Sequence, residues 1–184
     1  SPVFEGDVLF AHQEVAFHGQ TVFAVAAESR VLAARAVKLA KFELESYEPR
    51  LSAADAIKAG AFVRPTKTFV MGDVDQSLAQ AAHQVERAFG IHGQEHFYLE
   101  GQVCLVIPQE DNNLTIYSST QHPSETQQIV AKMLKQKSNS ITVLVRRIGG
   151  GFGGKETNFM TAAICALLSH KTGKPIKLRL DRDD

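Results

Sequence analysis

The chain has no tryptophan, only two cysteines among 184 residues, and no surplus of either charge. Lysine plus arginine and aspartate plus glutamate number 20 each, so no overall field draws the protein to nucleic acid or to an anionic membrane surface. Cys104 and Cys165 stand alone inside the apolar runs Val103 to Ile107 and Ala162 to Ala166. Without a C-x-x-C spacing they exclude an iron–sulfur site in this stretch, and they suit buried packing in a reducing compartment. No apolar run approaches the ~18 to 20 residues that cross a bilayer, and Ser1 to Glu5 has no signal-sequence features, so a cytoplasmic protein is expected. Internal repeats and low-complexity tracts are missing too. The histidines lack zinc or triad spacing; His96 and Glu100, four apart, would need a helix and further ligands to hold a metal. The length allows one large or two small domains, with roughly 70% of the unfolded surface buried. Ser1 is not an initiator methionine and the last residues follow directly on a strand-like run, so a segment of something longer is expected.

What the chain does have is glycine in one place: five of the six positions from Gly149 to Gly154, within Ile148 to Glu156. Glycine carries no Cβ to block a close approach, and its entropy cost makes such a cluster unprofitable without a use. Ile141 to Arg147 ahead of it is β-branched and strand-like, and Phe159 to Leu168 behind it reads as an apolar helix. Strand, glycine loop and helix together predict an anion cradle of backbone N–H groups. The pattern leaves the anion open. Gly149 to Lys155 fits the first seven positions of a P-loop, but Glu156 stands where a hydroxyl on magnesium is needed. Gly149, Gly151 and Gly154 also satisfy G-x-G-x-x-G, yet no acidic residue about twenty positions on closes a second βαβ strand. A nucleotide, another oxyanionic cofactor and a structural glycine turn all remain readings at this level.

Along the chain, 21–27 reads as a strand, Ser29 as the cap of a helix with stripe Ala33, Ala36, Val37 and Ala40, and 41–47 as a second strand, making a β-α-β unit. A short helical segment over 52–59 leads to Gly60 and Pro65, where a domain boundary is placed: 1–64 and 65–184. Asp75 to Ser77 opens a helix with Leu78, Ala81, Ala82, Val85 and Phe89 at helical spacing, stopped by Gly90. Runs 102–107 and 114–119 are expected to pair as a hairpin, and Pro123 opens a helix to Leu134 with Ile129, Val130, Met133 and Leu134 inward. A final helix ends near Gly173 and a strand follows over 176–180, giving an α+β architecture with a mixed sheet and flanking helices.

Five separated motifs carry a resemblance. They are Gly93 to Glu100, Ser119-Thr120-Gln121, Val130 to Leu134, Arg147 to Glu156, and Lys171 to Pro175 with Leu180 to Asp183. In order and spacing they resemble the molybdenum-binding part of xanthine dehydrogenases. Upstream, from Val3 to about Ala59, the chain is more loosely similar to the small a/b hammerhead domain of the xanthine dehydrogenase and aldehyde oxidase family.

The resemblance implies an a/b hammerhead-like domain over 1–64 and the first part of a molybdopterin cofactor-binding domain over 65–184. It implies a molybdenum-molybdopterin cofactor, with Gln121, Gly151, Phe152 and Gly153 binding it. Gln121 and Phe152 reach the metal through its ligands: the glutamine amide hydrogen-bonds an apical oxo group, and Phe152 and Gly153 offer backbone N–H groups. Glu156 is implied to bind a purine, where aldehyde oxidases generally carry an apolar residue. The activity implied is hydroxylation of xanthine or hypoxanthine by a molybdenum-bound hydroxyl with hydride transfer to a sulfido ligand. An aldehyde oxidase and a non-catalytic interaction module are the alternatives. No catalytic residue is expected within this segment, since the family's base glutamate lies further on. The remaining partners implied are the rest of the molybdenum subunit and the [2Fe–2S] and FAD domains or subunit, in an oligomer. Apart from the resemblance, the bland reading of Lys155 is a solvated loop lysine, and it is assigned no role.

Overall fold

The computed structural model describes residues 8–156 and 159–181. The chain divides into two compact units, Ser1–Ala40 with Gln94–Asp184, and Lys41–Gly93.

The first unit is built on a four-stranded sheet: β1 (Val103–Pro108), β2 (Leu114–Ser118), β3 (Ile141–Leu144) and β4 (Ile176–Arg179), in the order β3-β2-β1-β4. β1 and β2 form the expected antiparallel hairpin, with Cys104 opposite Ser118 and Pro108 opposite Leu114. Its turn places Asp111 and Asn112 at φ +54 and +60, a conformation that Asp and Asn tolerate better than most side chains. β4 is antiparallel to β1, and β2 is parallel to β3, so the sheet is mixed. The β2–β3 connection is α4 (Pro123–Leu134), the helix that a parallel pair requires. α5 (Met160–Thr172) joins β3 to β4 and stops at left-handed Gly173.

Alternation along the strands decides the layers. Cys104 and Val106, Leu114 and Ile116, and Ile141 are buried on one face, where Val130 and Ala131 of α4 and Ala162, Cys165 and Ala166 of α5 complete the core. Small residues on α5 let it approach β1 closely: Cys165 Sγ lies 3.9 Å from the Cys104 carbonyl oxygen. The adjacent Cys165 thiol and burial push the Cys104 thiol far above its ordinary pKa. Both cysteines are therefore core hydrophobes, as their sequence setting predicts.

The N-terminal expectations fare differently. α1 (Arg30–Val37) forms with Ser29 Oγ accepting from Leu32 N–H, and Arg30 pairs with Asp181. The flanking runs 21–27 and 41–47 carry no strand in this structure. Ala11 N–H donates to the Thr21 carbonyl at 2.8 Å and no ladder follows, and alternation without a paired neighbour does not make a strand. The hammerhead expectation begins at Val3, outside the described residues.

The second unit holds α2 (Ala53–Lys58), capped by Ser52, and α3 (Val74–Ala79), capped by Asp73. α3 ends ten residues short of the expected Phe89. Gln84 Nε2 donates to the Leu78 carbonyl at 2.6 Å, and with Leu78, Val85 and Phe89 all exposed no buried stripe sustains a longer helix.

Ile116 is fully buried at the centre of the sheet. Ile116→Ala should lower the unfolding free energy by about 3 kcal/mol in a denaturant titration, against less than about 0.5 kcal/mol for exposed Thr142→Ala. Equal costs would show that this face is not the core.

Candidate functional site

The topology gathers four chain segments at one end of the sheet. Because β2 and β3 run parallel, their C-terminal ends lie side by side, and they deliver Ser119-Thr120-Gln121 and the glycine run to the same place. β1 runs the other way, so its entry, Tyr98 to Gln102, arrives there too, and Leu180 N–H donates to the Gln102 carbonyl at 3.0 Å. Carboxyl ends of parallel strands are where open α/β sheets bind ligands.

Gln121 is the first point of closure. Its Oε1 accepts from Gly153 N–H at 3.1 Å and Lys155 N–H at 3.2 Å, while its own backbone N–H donates to the Lys155 carbonyl at 2.9 Å. Two N–H donors fix the carbonyl end of the amide inward, which leaves the NH₂ as the outward group. A Cβ on Gly151 would stand 2.5 Å from Gln121 Oε1, so only glycine lets the amide lie against the loop. Gly150 and Gly153 sit at φ +93 and +95, and Phe152 at +54, unusual for a bulky residue.

The other side of the loop rests on alternate residues of the segment entering β1. Glu100 Oε2 accepts from Gly149 N–H at 3.1 Å and from Lys155 Nζ at 2.8 Å, and Glu100 N–H donates to the Gly149 carbonyl. Gln102 Nε2 donates to the Gly154 carbonyl at 3.2 Å and to the Tyr98 hydroxyl at 3.0 Å. His96 approaches Gly154 closely enough that a Cβ there would meet its ring at 2.9 Å. His96 and Glu100 thus share a face at a period of two, not on a helical turn, and both meet the loop. Among the described residues no three metal-ligating side chains cluster.

Lys155 corrects an expectation. It is 0% exposed, with Nζ against Glu100 and 4.8 Å from the Tyr98 ring centroid. A charge so placed persists only when paired, and Glu100 supplies the partner. Burial works to raise the Glu100 carboxyl, but the hydrogen bonds from Lys155 and Gly149 and the Lys155 charge outweigh it and hold it below its ordinary value. Sequence reasoning missed this pair. The signal was the polar alternation His96, Tyr98, Glu100, Gln102 leading into a strand.

The loop is not a phosphate nest. The N–H groups of Gly149, Gly153, Gly154, Lys155 and Glu156 all donate within the protein, and the lysine a P-loop needs is buried against a carboxylate. Gly153, expected to turn its N–H to a cofactor, turns it to Gln121. Gly150, Gly151 and Phe152 N–H meet no acceptor among the described residues, and neither does the Gln121 NH₂. A row of donors without acceptors fits oxygen or sulfur ligands around an anionic centre. Glu156 follows the buried lysine and is exposed.

Residues 58–184 match the model of the molybdopterin cofactor-binding domain. The chain belongs to that family. It is 43% identical over 183 residues to aldehyde oxidase 2 of Macaca fascicularis, covering 98% of this chain and 14% of that protein. It is 37% identical over 186 residues to xanthine dehydrogenase of Drosophila pseudoobscura pseudoobscura, covering 100% of this chain and 14% of that protein. The chain therefore spans about a seventh of the length of these relatives. Among solved structures, the Cu,Mo-CO dehydrogenase in its carbon monoxide reduced state superposes with a TM-score of 0.76 at 22% identity, over 95% of this chain and 25% of that one, which shows a common fold. The cofactor of this family segment is molybdenum-molybdopterin, and the donor row fits it. No helix among the described residues is long and apolar enough to cross a membrane.

Gly151→Ala should cost about 1–3 kcal/mol of stability by displacing the Gln121 amide, and adding Gln121→Ala should recover most of it in a double-mutant cycle. Additive losses would mean the two do not touch. A carboxyl with a lowered folded pKa stabilises above its unfolded value, about 4.3, and that stability is lost as pH falls through the folded value. The thermal midpoint should therefore fall more steeply below about pH 4 in the wild type than in Glu100→Gln. Parallel acid limbs would remove Glu100 from the account.

Proposed function

We propose that this chain is a segment of a molybdenum-dependent xanthine dehydrogenase acting on xanthine or hypoxanthine, with an a/b hammerhead-like domain over 1–64 and the first part of the cofactor-binding domain over 65–184. When bound, the molybdenum centre supplies the oxidative hydroxylation chemistry of the family. The chain's own part is to hold and orient. Gln121 and Phe152 present uncharged N–H donors to the ligands on the metal, which steadies an anionic centre without adding charge to it. Gly151 and Gly153 let the backbone come close, and Gly153 N–H keeps the Gln121 carbonyl turned away.

The observation that carries the choice of substrate is Glu156. It leaves the same loop as Phe152, exposed, directly after the buried Lys155. A carboxylate there can accept from the ring N–H groups of a purine, whereas an aliphatic aldehyde offers it no donor. The 43% identity to an aldehyde oxidase favours the second reading, in which an aldehyde is the substrate, and Glu156 is where the two part. The remaining machinery, including the base, the [2Fe–2S] clusters and FAD, belongs to further parts of a larger cytoplasmic oligomer, consistent with the small share of its relatives that this chain spans.

In the longer protein that contains this segment, Glu156→Val should lower kcat/KM for xanthine about 10- to 100-fold, the worth of one charge-assisted hydrogen bond, and spare turnover of an aromatic aldehyde. Unchanged xanthine kinetics would remove the purine assignment and favour the aldehyde oxidase.

A further inference from the structure

We propose that Lys155 is a positioning residue: its buried ammonium, clasped to Glu100 and set over the Tyr98 ring, fixes the turn that sends Glu156 outward and holds the Gln121 amide with its NH₂ facing out. What is positioned rests on the assignment of Glu156 and Gln121 above; the clasp itself rests on geometry alone.

A loop with five glycines in six positions has more backbone freedom to lose than any other of its length. One carboxylate oxygen closes it. Glu100 Oε2 accepts from the first loop glycine, Gly149, and from the side chain of Lys155 just past the last one, so both ends of the run are tied to one atom. The Glu100 backbone adds a third tie through the Gly149 carbonyl at 3.1 Å.

Among the described loop residues, Lys155 is the one held through its N–H, its carbonyl and its side chain together. Its N–H goes to Gln121 Oε1, its carbonyl accepts from Gln121 N–H and from Thr120 Oγ1 at 3.3 Å, and its Nζ goes to Glu100. A lysine stem is flexible and its ammonium strongly hydrated, so without its counter-charge the head would swing to water. That swing carries the backbone with it. Two consequences follow at the working face: the N–H pair that orients the Gln121 carbonyl loses its geometry, and Glu156, the next residue, leaves the loop in another direction. Glu100 also makes a sharp control, because a glutamine there keeps the side chain's shape and an acceptor oxygen but removes the counter-charge that Lys155 needs, while an alanine removes both.

The test uses the longer protein carrying Lys155→Met, Glu100→Ala, Glu100→Gln or Glu156→Val, with hydrogen exchange over residues 148–156 read beside KM and kcat for xanthine. Lys155→Met, Glu100→Ala and Glu100→Gln, which all break the charge pair, should speed loop exchange at least about tenfold and raise KM about tenfold with a smaller change in kcat. Wild-type exchange in Lys155→Met and Glu100→Ala overturns the clasp, as does a Glu100→Gln variant that behaves as wild type. Faster exchange with an unchanged KM, in a protein where Glu156→Val does raise KM, overturns the positioning role. Where Lys155→Met does not fold, the Glu100 pair of variants decides. If Glu156→Val leaves KM unchanged, the purine assignment fails and exchange alone judges the clasp.

Discussion

A lysine ammonium with no access to water must be given a counter-charge, and in this chain meeting that demand organises the candidate site. Lys155 takes Glu100 as its partner and the Tyr98 ring as a second surface. Because Lys155 lies at one end of the glycine run and Glu100 also binds Gly149 at the other, the ion pair closes the loop as well as neutralising the charge. Everything on the outward side, including the Phe152 N–H, the Gln121 NH₂ and the Glu156 carboxylate, stands on that closed loop.

The sheet makes the closure possible. Parallel pairing of β2 with β3 through α4 sets Gln121 beside the glycines, although 30 or so residues separate them in sequence. Antiparallel β1 brings Glu100 and Gln102 to the same end from the opposite direction. The apolar side of the sheet and the small residues of α5 hold that arrangement from beneath, so the packing that stabilises the fold also fixes the site's reach.

Much of this was legible beforehand. Local rules placed β1, β2, β4, α4 and α5 within a residue or two, since each is bounded by turn or cap residues and carries a buried stripe, and placed the start of β3, although that strand stops at Leu144, three residues before Arg147. Gln121, Phe152 and Glu156 were legible only through the resemblance of whole motifs, because a lone polar residue after a strand carries no chemical signature. Two kinds of feature escaped. Runs 21–27 and 41–47 alternate as strands do, yet a strand is a property of a pair and alternation does not supply the neighbour. The Lys155–Glu100 pair joins positions 55 residues apart, and a lysine beside glycines reads as solvated until the fold seals it. The spacing of His96 and Glu100 suits a helix and an extended segment equally, and the loop it faces decides between them.

The most direct measurement of the central claim, that this loop and Gln121 form the donor wall of the cofactor site, is a crystal structure of the molybdenum-loaded longer protein. Gln121 Nε2 and Phe152 N should lie about 2.7–3.2 Å from oxygen ligands on the metal, or correspondingly farther from a larger sulfur ligand, with Gln121 Oε1 still accepting from Gly153 and Lys155. A metal whose ligands face another part of the protein, or a Gln121 amide turned carbonyl-outward, would contradict it.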